Sequence, residues 1–123
     1  METTFADFAA TQQARNDIQL KIVEHCLTLC DKLVEDFDRC HPKGFMQFEL
    51  DSSGRKYHKI WQVSGRNGSK SCHAFIDKKT GEVYMSASYK APAKIVRFRL
   101  LEIASREECF NRADWAGSYL YVR

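Results

Sequence analysis

The chain is poor in the features that would assign it at a glance. No run approaches the ~18 consecutive apolar residues of a membrane span, so no spanning helix is expected. Its start, Met1-Glu2-Thr3-Thr4-Phe5-Ala6-Asp7, has neither a basic n-region nor an apolar h-region. No signal peptide is therefore expected, and an intracellular setting is the default. The two prolines and six glycines are not gathered into a linker, and there are no repeats or low-complexity segments. One domain over residues 1–123 follows, large enough to bury a core without staples. There is also no glycine-rich phosphate cradle, no nucleophile in a strained turn and no second carboxylate at glycosidase-like spacing.

Cysteine is present but unpatterned. The five thiols are odd in number and irregularly spaced, with Cys26 and Cys30 one helical turn apart. A zinc site needs four ligands at knuckle-like spacings. The pairs Cys26/Cys30, Cys40-His41 and Cys72-His73 do not have them, so the expectation is reduced, mostly buried thiols with no metal and no cofactor.

Residues 57–94 carry the firmest local signals. Arg66-Asn67-Gly68-Ser69 and Asp77-Lys78-Lys79-Thr80-Gly81 lie between runs that alternate apolar and polar residues. Asn-Gly suits a type I′ hairpin turn, and Asp-Lys-Lys-Thr-Gly a type I turn closed by a left-handed glycine. If Arg66 pairs with Ser69, then Val63 faces Cys72, Trp61 faces Ala74 and Ile60 faces Phe75. If Asp77 pairs with Glu82, Ile76 faces Val83 and Ala74 faces Met85. This register predicts a dry face of Trp61, Val63, Cys72, Ala74, Ile76, Val83, Met85 and Ala87. The other face then holds His58, Ile60, Gln62, His73, Phe75, Tyr84 and Ser86, either half-covered or open for binding.

Upstream, residues 4–14 favour a short helix capped by Thr3 or Thr4. A clearer helix follows over residues 15–39, its stripe of Ile18, Ile22, Cys26, Leu29, Leu33 and Phe37 broadened by Val23, Leu27, Cys30 and Val34. That width suits a sheet and also a second subunit. His41-Pro42-Lys43-Gly44 ends it. Residues 45–50 read as a strand and Asp51-Ser52-Ser53-Gly54 as a turn. Residues 86–94 read as a basic loop, and residues 95–101 as an edge strand or an irregular segment. Ser105-Arg106-Glu107-Glu108 matches a capping box opening a short helix, and residues 119–123 read as extended. The fold class is α+β: a long N-terminal helix on an antiparallel meander of four to five strands, then a short C-terminal helix.

Charge is asymmetric. Residues 1–53 hold 5 Lys/Arg against 10 Asp/Glu, whereas residues 54–123 hold 14 against 6. Between Arg55 and Arg99, 11 basic residues meet only Asp77 and Glu82. The cations Arg66, Lys70, Lys90, Lys94, Arg97 and Arg99, with Lys78 and Lys79 in the second turn and aromatics such as Tyr89 interleaved, match the composition of single-strand binders. Lysine-rich turns also serve simply to keep sheet edges soluble. A weaker constellation sets His58 opposite Asp77 with His73 one strand over, which could orient an imidazole as a general base.

The segments HAFIDKKTGEVY (73–84), SYKAPAK (88–94) and RFRLL (97–101) resemble uncharacterised small proteins of marine tailed bacteriophages (cyanophage-type). Those proteins read as an F-V-D-x-x-T-G-x-V-Y hairpin, a K-A-P-A-K loop and an R-Y-N-L-L tail; RADWAGSYLY (112–121) fits the same pattern. The resemblance covers residues 57–123, with Met85 and Arg99 departing from the lysine and asparagine common there. It implies a host-cytoplasm setting and carries no activity. The resulting expectation is a non-enzymatic phage accessory protein, a homodimer that binds nucleic acid or another anionic partner and no membrane. The alternatives are a small hydrolase or transferase using His58, His73 and Asp77, or a purely structural or host-protein-interaction module.

Overall fold

From Phe5 to Cys40 the sequence contains neither glycine nor proline, and the backbone forms one unbroken helix, α1 (Phe5–Cys40, 36 residues). At 1.5 Å per residue it is about 54 Å long. The computed structural model describes residues 4–65 and 68–121. Thr4 caps α1, its hydroxyl accepting from the Asp7 amide at 3.1 Å, and the helix stops at His41 ahead of Pro42. The two helices expected over 4–14 and 15–39 are thus a single element, because nothing between them breaks the hydrogen-bond ladder.

Five strands follow: β1 (Met46–Asp51), β2 (Tyr57–Ser64), β3 (Ser69–Asp77), β4 (Glu82–Ser86) and β5 (Pro92–Arg99). They form one antiparallel sheet in the order β1-β2-β3-β4-β5, an uninterrupted meander. Then come α2 (Ile103–Arg112) and a 3-10 turn (Ser118–Leu120). The second half of α1, α2 and the C-terminal strap all cover the same sheet face. Ile22, Cys26, Leu29, Leu33 and Phe37 from α1 meet Phe48, Ile60, Ala74, Ile76, Val83 and Phe98 from the sheet, with Cys109, Tyr119 and Leu120 closing the far side. The strap is pinned by α1 and by β3, and again by Arg97, which donates to the Leu120 carbonyl. The Trp115 amide donates to Asp36 Oδ2 at 3.0 Å, and the Tyr119 hydroxyl is hydrogen-bonded to His73 Nε2 at 2.7 Å.

The second hairpin has the expected register, with Ala74 opposite Met85, Phe75 opposite Tyr84 and Ile76 opposite Val83. Gly81 closes its turn at φ 72, where only glycine sits without strain. The first hairpin differs. Its closing pair is Ser64 and Ser69, and its loop recruits Gly65, also at positive φ, ahead of Arg66 and Asn67, which lie outside the described residues. Trp61 then faces Cys72 and Ile60 faces Ala74, so His73 is an extra residue bulged out of β3. A one-residue slip exchanges the two faces of a strand. Ile60 and His58 therefore lie on the covered side with Ala74 and Ile76, and Trp61 and Val63 lie on the outer side.

Three further differences trace to tertiary contacts. β5 begins at Pro92, so the basic loop shrinks to residues 87–91, tied to the sheet where Lys59 Nζ donates to the Tyr89 carbonyl at 2.8 Å. The capping box does not form: the cap moves three residues earlier, to Glu102, and the Ser105 hydroxyl accepts from the Arg99 amide at 2.8 Å. Tyr119 and Leu120, expected on an extended tail, are core residues on the 3-10 turn.

Candidate functional site

α1 runs past the end of the sheet. Ile22 lies beside Gly81 at that edge, and residues 5–21 include no buried member. Where the helix leaves the sheet it passes two loops, residues 52–56 and the turn after Asp77. The loops hold each other: the Lys78 amide donates to the Lys56 carbonyl at 3.0 Å, and Lys78 Nζ donates to the Ser52 carbonyl. Between helix and loops lies a groove of about 830 Å³. Asn16, Gln19, Leu20 and Val23 form its helical wall, and Arg55, Lys56, His58, Asp77, Lys78 and Lys79 form the other.

This site is cationic. Among the described residues Arg55 and Lys79 make no ion pair and no side-chain hydrogen bond. The single carboxylate of the wall is already committed: Asp77 Oδ1 accepts from the Lys79 and Thr80 amides at 2.8 and 3.0 Å, the Asx-type closure of its own turn. His58 is almost fully buried, with Nδ1 hydrogen-bonded to the Ser52 hydroxyl at 2.7 Å. Burial, then repulsion from Lys78, holds its pKa below the ordinary value, so the imidazole stays neutral near pH 7.

Of the residues read from sequence as an acid-base set, His58 and Asp77 both line the groove, each held by its own partner, and His73 lies apart from it. His58 lies opposite Ile76 rather than Asp77, whose partner is Tyr57. His73 is sequestered on Tyr119, and burial pushes it down to about 4. Each of the three is therefore held by a separate structural partner. The predicted cations are also dispersed. Lys70 pairs with Glu49 at 3.4 Å, and Arg99 with Glu82 at 3.7 Å and Glu102 at 3.8 Å. Arg97 donates to the Leu120 and Ile95 carbonyls, anchoring the strap. Lys90 lies over the exposed Tyr89 ring at 5.4 Å, and Lys94 is exposed on β5. Arg66 lies outside the described residues.

Arg55 and Lys56, which complete the groove, were not singled out by sequence reasoning. The one available signal was the pair of basic turns ending on the same side of a meander. Among the described residues no three His, Cys, Asp or Glu side chains come together as a metal-holding group, and no helix is long and apolar enough to cross a membrane. Burial pushes the Cys26, Cys30 and Cys109 thiols up to about 12, which makes them packing groups rather than nucleophiles.

No curated protein and no solved structure matches the chain. The chain matches a protein family over residues 5–122, from the first turn of α1 through the C-terminal strap. The chain belongs to that family, DUF7717, a family of unknown function.

Proposed function

We propose that the chain is a non-enzymatic binding module that takes an anionic partner at the cationic groove, with nucleic acid as the first class of partner. In the setting that the bacteriophage resemblance implies, it acts as an accessory protein in the host cytoplasm. One observation carries the reading: Arg55, Lys56, Lys78 and Lys79 line one groove with a single lining carboxylate, Asp77, whose Oδ1 is engaged by the amides of its own turn. Four cations on two mutually braced loops are positioned for phosphate or carboxylate oxygens, and backbone contacts of this kind position a partner without reading its sequence. The separate partners of His58, His73 and Asp77 support binding over acid-base chemistry.

Titration with single- and double-stranded oligonucleotides at several salt concentrations tests the reading. Affinity is expected to fall steeply with salt, and Lys78→Ala with Lys79→Ala is expected to reduce the slope by about one unit per lost contact. Lys90→Ala with Lys94→Ala, remote from the groove, serves as the comparison. Salt-independent or absent binding would overturn the nucleic-acid assignment. An undiminished slope in the Lys78/Lys79 variant would move the site elsewhere.

A further inference from the structure

The projecting half of α1 needs a partner, and its own side chains describe one. Phe5, Ala9, Gln12, Asn16, Leu20, Val23 and Leu27 follow one another at intervals of three and four, so they share one helix face, with Phe8 beside it. Phe5 is 85% exposed, Phe8 55%, Leu20 64% and Leu27 49%. The pattern along this face is directional: aromatic at the N-terminal end, small and amide in the middle, aliphatic toward the sheet.

We propose that this face pairs antiparallel with the same face of a second copy, each arm lying in the other's groove. A two-fold axis midway between Gln12 and Asn16 sets Phe5 against Val23 of the second copy, Phe8 against Leu20 and Gln12 against Asn16. Ring meets aliphatic chain at both ends, and amide meets amide at the crossing. The contact is isologous, so it closes at two subunits. A parallel pair would stack the aromatic ends together and crowd two sheets at one end, whereas the antiparallel pair places the sheets at opposite ends.

Charge and area favour the same occupant. Within residues 4–14 the only charged side chain is Asp7, so the arm brings no cation to a groove rimmed by Arg55, Lys56, Lys78 and Lys79. The exposed parts of Phe5, Phe8 and Leu20, all inside the paired stretch, amount to on the order of 400 Å² in each copy. That is a large apolar patch for a monomer. Across a two-fold axis it comes to about 800 Å², and Ala9, Gln12, Asn16 and Val23 of both copies add to it toward the ~1,000 Å² of a specific interface. The inference goes beyond the anion reading and shares its groove, so the mass without anion and the anion titration are read separately. The arm fills the apolar wall, and the cationic loops of both copies remain along the pair.

Mass in solution, measured by light scattering without any anion, tests it. The expected mass is twice the 14.3 kDa of the chain. Phe8→Glu with Leu20→Glu is expected to weaken association at least about a hundredfold, as loss of central anchors does. Because both positions are solvent-exposed in a single copy, the circular dichroism of the sheet and core should not change. Register is read by cysteine pairs in a Cys40→Ser background. Ala9→Cys with Gln19→Cys should cross-link two copies under mild oxidation, and Ala9→Cys alone should not. A monomer mass at high micromolar concentration, an unchanged dimer in the Phe8/Leu20 variant, or efficient self-cross-linking of Ala9→Cys alone would each overturn the proposal.

Discussion

The two halves of α1 share a backbone but not an environment. Residues 22–40 bury Ile22, Cys26, Leu29, Leu33 and Phe37 against the sheet, while residues 5–21 bury nothing. Both halves read as helix for the same local reason, the absence of breakers. An isolated segment of about 17 residues in water is only marginally helical, so packing stabilises one half and continuity with it the other. The difference teaches that helix was specified locally, whereas its use was specified by which face each half presents. The packed half is part of the fold; the bare half is the face proposed to pair with a second copy.

Truncation inside the packed half should have the largest effect. Leu29→Ala removes a side chain with no exposure and is expected to cost about 3 kcal/mol in urea unfolding. Leu20→Ala, one face over in the bare half, is expected to change the stability of a dilute, undimerised chain by less than about 0.5 kcal/mol. Equal costs would erase the contrast.

Acid should act next on the covered sheet face, where His73 of β3 meets Tyr119 of the strap. His73 is held neutral down to about 4 by burial, against 6.5 in the unfolded chain. Above pH 6.5 neither state takes the proton and the native advantage is complete. Between 6.5 and 4 only the unfolded chain takes it, so stability falls as pH falls, by on the order of 3 kcal/mol in total. Urea midpoints from pH 7.5 to 4.5 should show this decline, with a shallower one in His73→Gln. Identical slopes would contradict a buried neutral imidazole.

Asp36→Ala should cost somewhat less, about 1–3 kcal/mol, by leaving the Trp115 amide without its acceptor. Hydrogen exchange should then quicken over residues 113–121 and leave residues 5–21 as they were. Smallest is Thr4→Ala, which removes the cap of the bare half and is expected to cost about 1 kcal/mol or less. Its effect should be confined to exchange in the first turns of α1.

How much of this was legible varies with how local the cause is. The β3–β4 hairpin could be read because Asp77 and Gly81 settle their turn by themselves, through an Asx closure and a left-handed glycine. The β2–β3 hairpin could not. A second glycine, Gly65, lengthened the loop, and the bulge at His73 shifted the register again, for which no sequence signal exists. The faces of β2 were inverted in consequence, and with them the expected pairing of His58 with Asp77. Ser105 looked like a cap, but its hydroxyl serves Arg99 across a tertiary contact. The groove was half legible. Lys78 and Lys79 were visible as a basic turn, whereas their meeting with Arg55 and Lys56 depends on a meander bringing two loops to one edge.

Hydrogen exchange along α1 as a function of protein concentration is the most direct measure of whether the bare half is a binding face. Amides of residues 22–40 should be protected at every concentration. Those of residues 5–21 should exchange quickly in dilute solution and become protected as copies associate. Protection of residues 5–21 that is already complete in a dilute monomer, or absent at every concentration, would contradict the account.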